Sequence, residues 1–133
     1  MCTEGKIQIM LENTADLWVM HLAGRFVTGS DEEYRRTKKE VENKGIRVVV
    51  ADCRELPYVD STGLSFMVGL YKTLRDCRGL LVLANANRRV KEVLRITHLD
   101  GYLPVFETVE DALEALASSR MKSELLIPLP LTA

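Results

Sequence analysis

Cysteine is scarce in this chain, and its scarcity is the first constraint. Cys2, Cys53 and Cys77 stand far apart with no CxxC pair. That is too few and too scattered for a disulfide framework or a zinc site, so reduced thiols are expected. Charge of one sign is equally lacking: 18 Lys and Arg against 19 Asp and Glu leave a net charge of -1. No basic field exists to draw in nucleic acid or an anionic membrane, and a partner must be recognised by a local surface. Long apolar runs are missing too. No window approaches the ~20 apolar residues of a membrane helix, and Met1 to Lys6 carries no signal-peptide pattern. Phosphate-loop and dinucleotide glycine patterns are absent as well. The expectation is a soluble cytoplasmic protein with no metal, no cofactor, and neither nucleic acid nor membrane as partner.

What is present suits one ordinary domain. The chain has 133 residues, 47% hydrophobic and 28% charged, enough to bury a real core. Lys6 to Leu11 alternates, with Ile7, Ile9 and Leu11 on one face, and reads as a half-buried strand. Turn chemistry at Glu12–Asp16 leads into a second strand, Leu17 to Ala23, so a hairpin is expected. Ser30 and Glu33 have capping-box spacing for a surface helix with Tyr34, Thr37, Lys38 and Val41 inward and Gly45 as its stop. Ile46 to Ala51 lacks alternation and predicts a strand buried on both faces.

A central helix follows, with Leu64, Met67, Val68 and Tyr71 at i, i+3, i+4, i+7, and Leu70 and Leu74 widening the stripe. Leu80 to Ala84 is another buried strand. Val90, Val93, Leu94 and Thr97 mark a third amphipathic helix ending near Gly101. Leu103 to Phe106 is a short strand that Pro104 assigns to a sheet edge. Thr108 caps a last helix facing inward through Val109, Ala112, Leu113 and Leu116. The order β-β-α-β-α-β-α-β-α predicts an α/β fold: a mixed, mostly parallel sheet of about five strands packed with about four helices, with an N-terminal hairpin and right-handed crossovers. The domain spans residues 1–118. Residues 119–133 form a C-terminal extension, polar first and then apolar with two prolines.

Asp60-Ser61-Thr62-Gly63-Leu64 stands where the third strand hands over to the central helix. In an α/β fold that point lies at the carboxyl end of the sheet, where function is usually placed. Ser61 has two readings there. As a helix cap it would accept a backbone N–H. As a phosphoacceptor it would carry roughly -1.5 to -2 charges at a helix start, whose N–H groups and macrodipole favour anions. Three capping-type residues in a row exceed what one cap needs, and Gly63 leaves approach unobstructed.

The run Arg47-Val48-Val49-Val50-Ala51-Asp52, the loop to Val59, and Asp60-Ser61-Thr62-Gly63-Leu64 resemble the signature of the STAS family, the bacterial anti-sigma factor antagonists. The likeness continues through Leu80–Ala84, Asn85-Ala86-Asn87-Arg88-Arg89-Val90, Leu99-Asp100-Gly101-Tyr102 and Phe106 with the helix after Thr108, covering roughly Ile7 to Leu116. The resemblance implies a STAS-like fold and a partner-switching role. The unphosphorylated protein would bind an anti-sigma factor serine kinase and release sigma factor; phosphorylation at Ser61, with Thr62 as second candidate, would turn binding off; a serine phosphatase would reset it. Partner-binding residues would be Pro57, Tyr58, Asp60, Thr62, Gly63, Leu64 and Thr28, in a monomer or homodimer that is not an enzyme. One departure stands out: Val27 occupies the slot where such antagonists carry an acidic residue, in Gly24-Arg25-Phe26-Val27.

Two alternatives are carried forward. One is a non-switching STAS scaffold, in a stress-signalling assembly or as a lipid-transport accessory subunit. The other is a small serine-dependent α/β enzyme, although Ser61 lacks the Gly-x-Ser-x-Gly setting and only His21 or His98 could act as base. Cys53 reads as a buried inert thiol. Arg88, Arg89 and Lys91 form a small basic cluster, a solvated helix start or a rim contact for an acidic partner.

Overall fold

The structure, a computed structural model, describes residues 7–14, 17–25, 31–57 and 59–117. Thr28, Tyr58, Val27, the Ser30 cap and the 119–133 extension lie outside the described residues. Strands β1 (Gln8–Thr14) and β2 (Leu17–Ala23) form the expected antiparallel hairpin. Helix α1 (Asp31–Asn43) leads to β3 (Val48–Glu55), α2 (Ser61–Asp76) to β4 (Leu80–Ala84), and α3 (Arg88–Ile96) through a 3-10 turn at Leu99–Gly101 to β5 (Val105–Phe106). Helix α4 (Val109–Ala117) closes the described chain. The sheet order is β1-β2-β3-β4-β5, with β2 to β5 all parallel.

Two cores lie on the two faces of this sheet. On one, Met20, Leu22, Val49, Ala51, Leu81 and Leu83 meet Val41 of α1, Phe66, Met67, Leu70 and Leu74 of α2, and Val90 and Leu94 of α3. On the other, Val19, Val50, Val82 and Ala84 meet Ala112 and Leu116 of α4, flanked by the half-buried Val109 and Leu113. The crossover helices α1, α2 and α3 therefore share a face and, with strands added in one direction, share one hand. Each fully buried leucine or methionine contributes about 1.5–3 kcal/mol relative to exposure, which makes the α1–α2–α3 face the main source of stability.

Helix stops are sharp. Gly45, at φ +63, ends α1, with Gly45 N–H donating to Glu42 O at 3.2 Å and Ile46 N–H to Val41 O at 3.0 Å, the two bonds of a Schellman motif. Gly79 is required by space: a Cβ there would stand 2.0 Å from Arg47 O.

Several boundaries depart from the sequence expectation. β1 continues to Thr14, because the ladder Asn13↔Trp18 and Thr14↔Leu17 overrides the turn propensity of those residues. β3 starts at Val48, after the α1 stop, and runs on to Glu55, drawn out by pairing with the end of β2 at Ala23. The buried stripe of α2 is Gly63, Phe66, Met67, Leu70 and Leu74, leaving Leu64, Val68 and Tyr71 as half-buried flanks. α3 stops at Ile96, and the stretch to Gly101 is a separate turn entered through His98 at φ 63. β5 is only two residues long, since Pro104 has no N–H for the ladder; its carbonyl accepts from Leu83 N–H at 2.8 Å.

Candidate functional site

Because β2 to β5 are parallel, α1 to α4 all begin at the same end of the sheet. The Leu56–Asp60 loop, which carries the chain from β3 into α2, sits at the middle of that end. Leu56 and Val59 are 0% and 4% exposed and anchor the loop in the core, while Pro57 between them is exposed. Asn87 fixes the loop from outside. Its side-chain N–H₂ donates to Leu56 O at 3.2 Å and Pro57 O at 2.9 Å, and its side-chain oxygen caps α3 by accepting from Val90 N–H at 2.9 Å.

Asp60, not Ser61, caps α2. Its carboxylate accepts from Gly63 N–H at 3.1 Å and its carbonyl from Leu64 N–H at 2.9 Å. Ser61 is thereby released from capping. It occupies the first helical position, exposed, and its hydroxyl makes no hydrogen bond among the described residues. Thr62 and Leu64 are half-buried and Gly63 is buried. α2 has no acidic residue in its first turn, and the positive end of its macrodipole is met by the Asp60 carboxylate at the cap. A phosphoryl group on Ser61 would sit where negative charge is stabilised by about 0.3–1 kcal/mol. Of the sequence-predicted residues, the fold brings together Pro57, Asp60, Ser61, Thr62, Gly63 and Leu64. Thr28 and Tyr58 fall outside the described residues.

Sequence reasoning missed the support behind the loop. Asp52 accepts from Asn85 Nδ2 at 3.0 Å and from Arg54 N–H at 3.1 Å, and His21 Nδ1 lies 3.2 Å away. Burial opposes ionisation of Asp52, but these hydrogen bonds outweigh it and hold its carboxyl below the usual range. His21 also meets Glu12 at 2.8 Å, and that bond, helped by Asp52 against partial burial, raises the imidazole pKa. The available signal was Asn85 and Asn87 flanking a strand end, residues that favour left-handed backbone and caps; Asn85 has φ 58.

Beside the loop, Val59 and the first turns of α3 enclose an open groove of about 610 Å³ lined by Arg88, Arg89, Glu92 and Val93. Arg88 and Arg89 of the basic cluster singled out in the sequence thus share this groove with Val59, while Lys91 pairs with Glu107 at 3.5 Å. Cys53 is fully buried; burial, with Asp52 nearby, pushes its thiol up to about 12, so it stays protonated and unreactive. Cys53 and Cys77 are unpaired thiols. Among the described residues no group of three or more His, Cys, Asp or Glu could hold a metal, and no helix is long and apolar enough to cross a membrane.

Comparison with known proteins agrees with this architecture. The STAS domain profile matches residues 8–112, and the chain belongs to the STAS domain family. Its relatives bear a consistent description. The anti-sigma-B factor antagonist of Listeria monocytogenes is 34% identical over 86 residues, 60% of this chain and 75% of that protein. The anti-sigma F factor antagonist of Paenibacillus polymyxa is 22% identical over 111 residues, 83% of this chain and 95% of that protein. Against two Thermotoga homologues the chain spans 66% of their length.

Among solved structures, an anti-sigma factor antagonist from Mycobacterium paratuberculosis superposes with a TM-score of 0.76 at 19% identity, covering 89% of this chain and 100% of that one. Unphosphorylated SpoIIAA gives 0.72 at 18% identity, covering 83% and 96%. Identities this low speak to the fold, and the fold is the mixed five-stranded sheet expected from sequence.

Proposed function

We propose that this chain is an anti-sigma factor antagonist working by partner switching in the cytoplasm. Unphosphorylated, it binds an anti-sigma factor serine kinase through Pro57, Tyr58, Asp60–Leu64 and Thr28, releasing sigma factor. The kinase phosphorylates Ser61, with Thr62 as second candidate, and binding is lost; a serine phosphatase restores it. The STAS unit is residues 1–118, with 119–133 an extension, and the chain acts as monomer or homodimer.

The observation that carries this reading is the exposed Ser61 hydroxyl at the first turn of α2, with capping taken over by Asp60. Added charge there leaves the helix intact and changes only the surface. Burying a phosphate against a docked partner without pairing it costs several kcal/mol, so affinity falls on the order of a hundredfold or more. This chain supplies the hydroxyl, while the ATP, metal and base belong to the kinase. Of the two candidate bases for the serine-enzyme alternative, His21 has both ring nitrogens engaged by Glu12 and Asp52 rather than turned to Ser61.

Calorimetric titration of the purified cognate kinase tests the proposal. Wild type and Ser61→Ala bind, Ser61→Asp does not, and ATP adds ~80 Da (one phosphoryl group) to wild type alone by intact mass. Equal binding by Ser61→Asp and wild type rejects the switch and favours a scaffold.

A further inference from the structure

We propose that the groove between Val59 and α3 is a second docking contact for the kinase partner, and that it takes a partner segment carrying carboxylates beside an apolar side chain. The inference rests on the partner-switching reading and adds the chemistry of the surface next to Ser61.

The case begins with a local inconsistency. Arg88 and Arg89 are the first two residues of α3, after the Asn87 cap, and the first turn contains no acid. Cations there oppose the helix macrodipole. Within the described residues neither has an ion-pair partner, whereas the next two cations along the helix are paired, Lys91 with Glu107 at 3.5 Å and Arg95 with Glu92 at 2.6 Å. Two arginines set against their own helix, with Glu92 one turn further on already paired to Arg95, are the kind of local conflict expected where an outside group completes the site. Arginine rather than lysine fits that role, because its planar fork takes a carboxylate through two parallel bonds.

The groove also has an apolar direction. Val59 and Val93 line it together with the arginines and Glu92, whose carboxylate is held by Arg95. Arg89, Val93 and Ile96 fall at i, i+4 and i+7, on one stripe of α3, and Ile96 is 62% exposed. From Arg89 to Ile96 the stripe passes from cation to hydrocarbon over about 10 Å. An occupant with carboxylates at one end and an apolar side chain one to two helical turns further on would match both parts.

Position ties the groove to the switch. Val59 is two residues before Ser61, and Asn87 bonds the Leu56–Pro57 backbone to the start of α3. A segment in the groove therefore brings its carboxylates towards the phosphoacceptor. Phosphorylation of Ser61 would set like charges against each other at this point, so the groove helps the modification eject the partner.

The test compares binding of the purified kinase to three full-length proteins: wild type, Arg88→Glu/Arg89→Glu, and Arg35→Glu/Arg36→Glu, which makes the same charge change on α1. Reversal in the groove should weaken binding about tenfold or more while the control stays within about twofold. Added salt should weaken wild type more than the groove variant. The melting temperature of the groove variant should hold or rise, because acid suits a helix start. Arg88→Gln/Arg89→Gln, which removes charge without reversing it, should lose binding in the same direction and covers the case of a misfolded reversal variant. Unchanged affinity in both groove variants overturns the proposal and leaves the switch standing if Ser61→Asp still abolishes binding. An equal loss in the α1 control overturns it too, as a general charge effect. A wild type that does not bind the kinase removes both readings together.

Discussion

Four helices begin at one end of the same mixed sheet, yet they begin in two different ways. The outer pair, α1 and α4, open on acids: Asp31, Glu32 and Glu33 in one, Glu110 and Asp111 in the other. In α4, Thr108 Oγ1 also accepts from Asp111 N–H at 3.0 Å. These starts use the helix macrodipole for stability. The middle pair carry no acid within the first turn: that of α2 exposes Ser61, and that of α3 has two arginines. Each is held by one side chain, Asp60 or Asn87, that lies outside the helix proper. The difference sets the middle of this edge, where docking is proposed, apart from its flanks. The flanks carry acids of their own at the helix start, and the centre does not.

The comparison predicts that single caps matter most in the middle. Asn87→Ala removes the α3 cap and both bonds to the Leu56–Pro57 backbone, and should lower unfolding free energy by about 2 kcal/mol. Urea denaturation would read this as a lower midpoint, and the Ser61 loop should lose protection in amide exchange. A near-neutral result would mean that Leu56 and Val59 alone hold the loop. Asp60→Ala comes next, at about 1 kcal/mol for the lost bond to Gly63 N–H, whereas Ser61→Ala should stay within about 0.5 kcal/mol. If the two substitutions cost the same, Ser61 shares the capping and the division of labour between the neighbours fails.

The smallest effect lies behind the edge, at His21. Its pKa is raised by Glu12 and Asp52, so its contribution to stability is complete below the ordinary imidazole value and disappears as pH climbs through the raised folded value. Asp52 is lowered, so its contribution is present above the ordinary carboxylate value and is lost as pH falls through the lowered one. The cluster is strongest between those limits. Melting temperature should drift down as pH rises from mildly acidic to mildly alkaline, and His21→Gln should flatten that drift. The slope will be shallow, since His21 is 39% exposed and solvent screens the pair. A wild-type profile already flat across this range would remove the His21–Glu12–Asp52 link from the account.

Much of this was legible in the sequence where the signal is local. β2 and β4 fall within the expected bounds, as do the α1 stop at Gly45 and the Thr108 cap. Asp60 and Ser61 were both identified, but residue type could not decide which of them caps, since both are good caps; the Gly63 N–H reaches Asp60. What the sequence hid depends on distant partners. β3 extends over polar Asp52 to Glu55 because β2 offers it a ladder. The buried stripe of α2 turns away from Leu64 and Tyr71 because the sheet beneath takes Met67 and Leu70. Asn87 looked like a loop residue, yet it serves a helix and a backbone segment some 30 residues earlier.

Strand order across the sheet repeats strand order along the chain. During synthesis, such an order would let each strand leaving the ribosome pair with a neighbour already made, without entering between two others. The hairpin can form first and receive β3, then β4, each arriving with its helix for the shared face. Ser61 would emerge onto a platform already three strands wide.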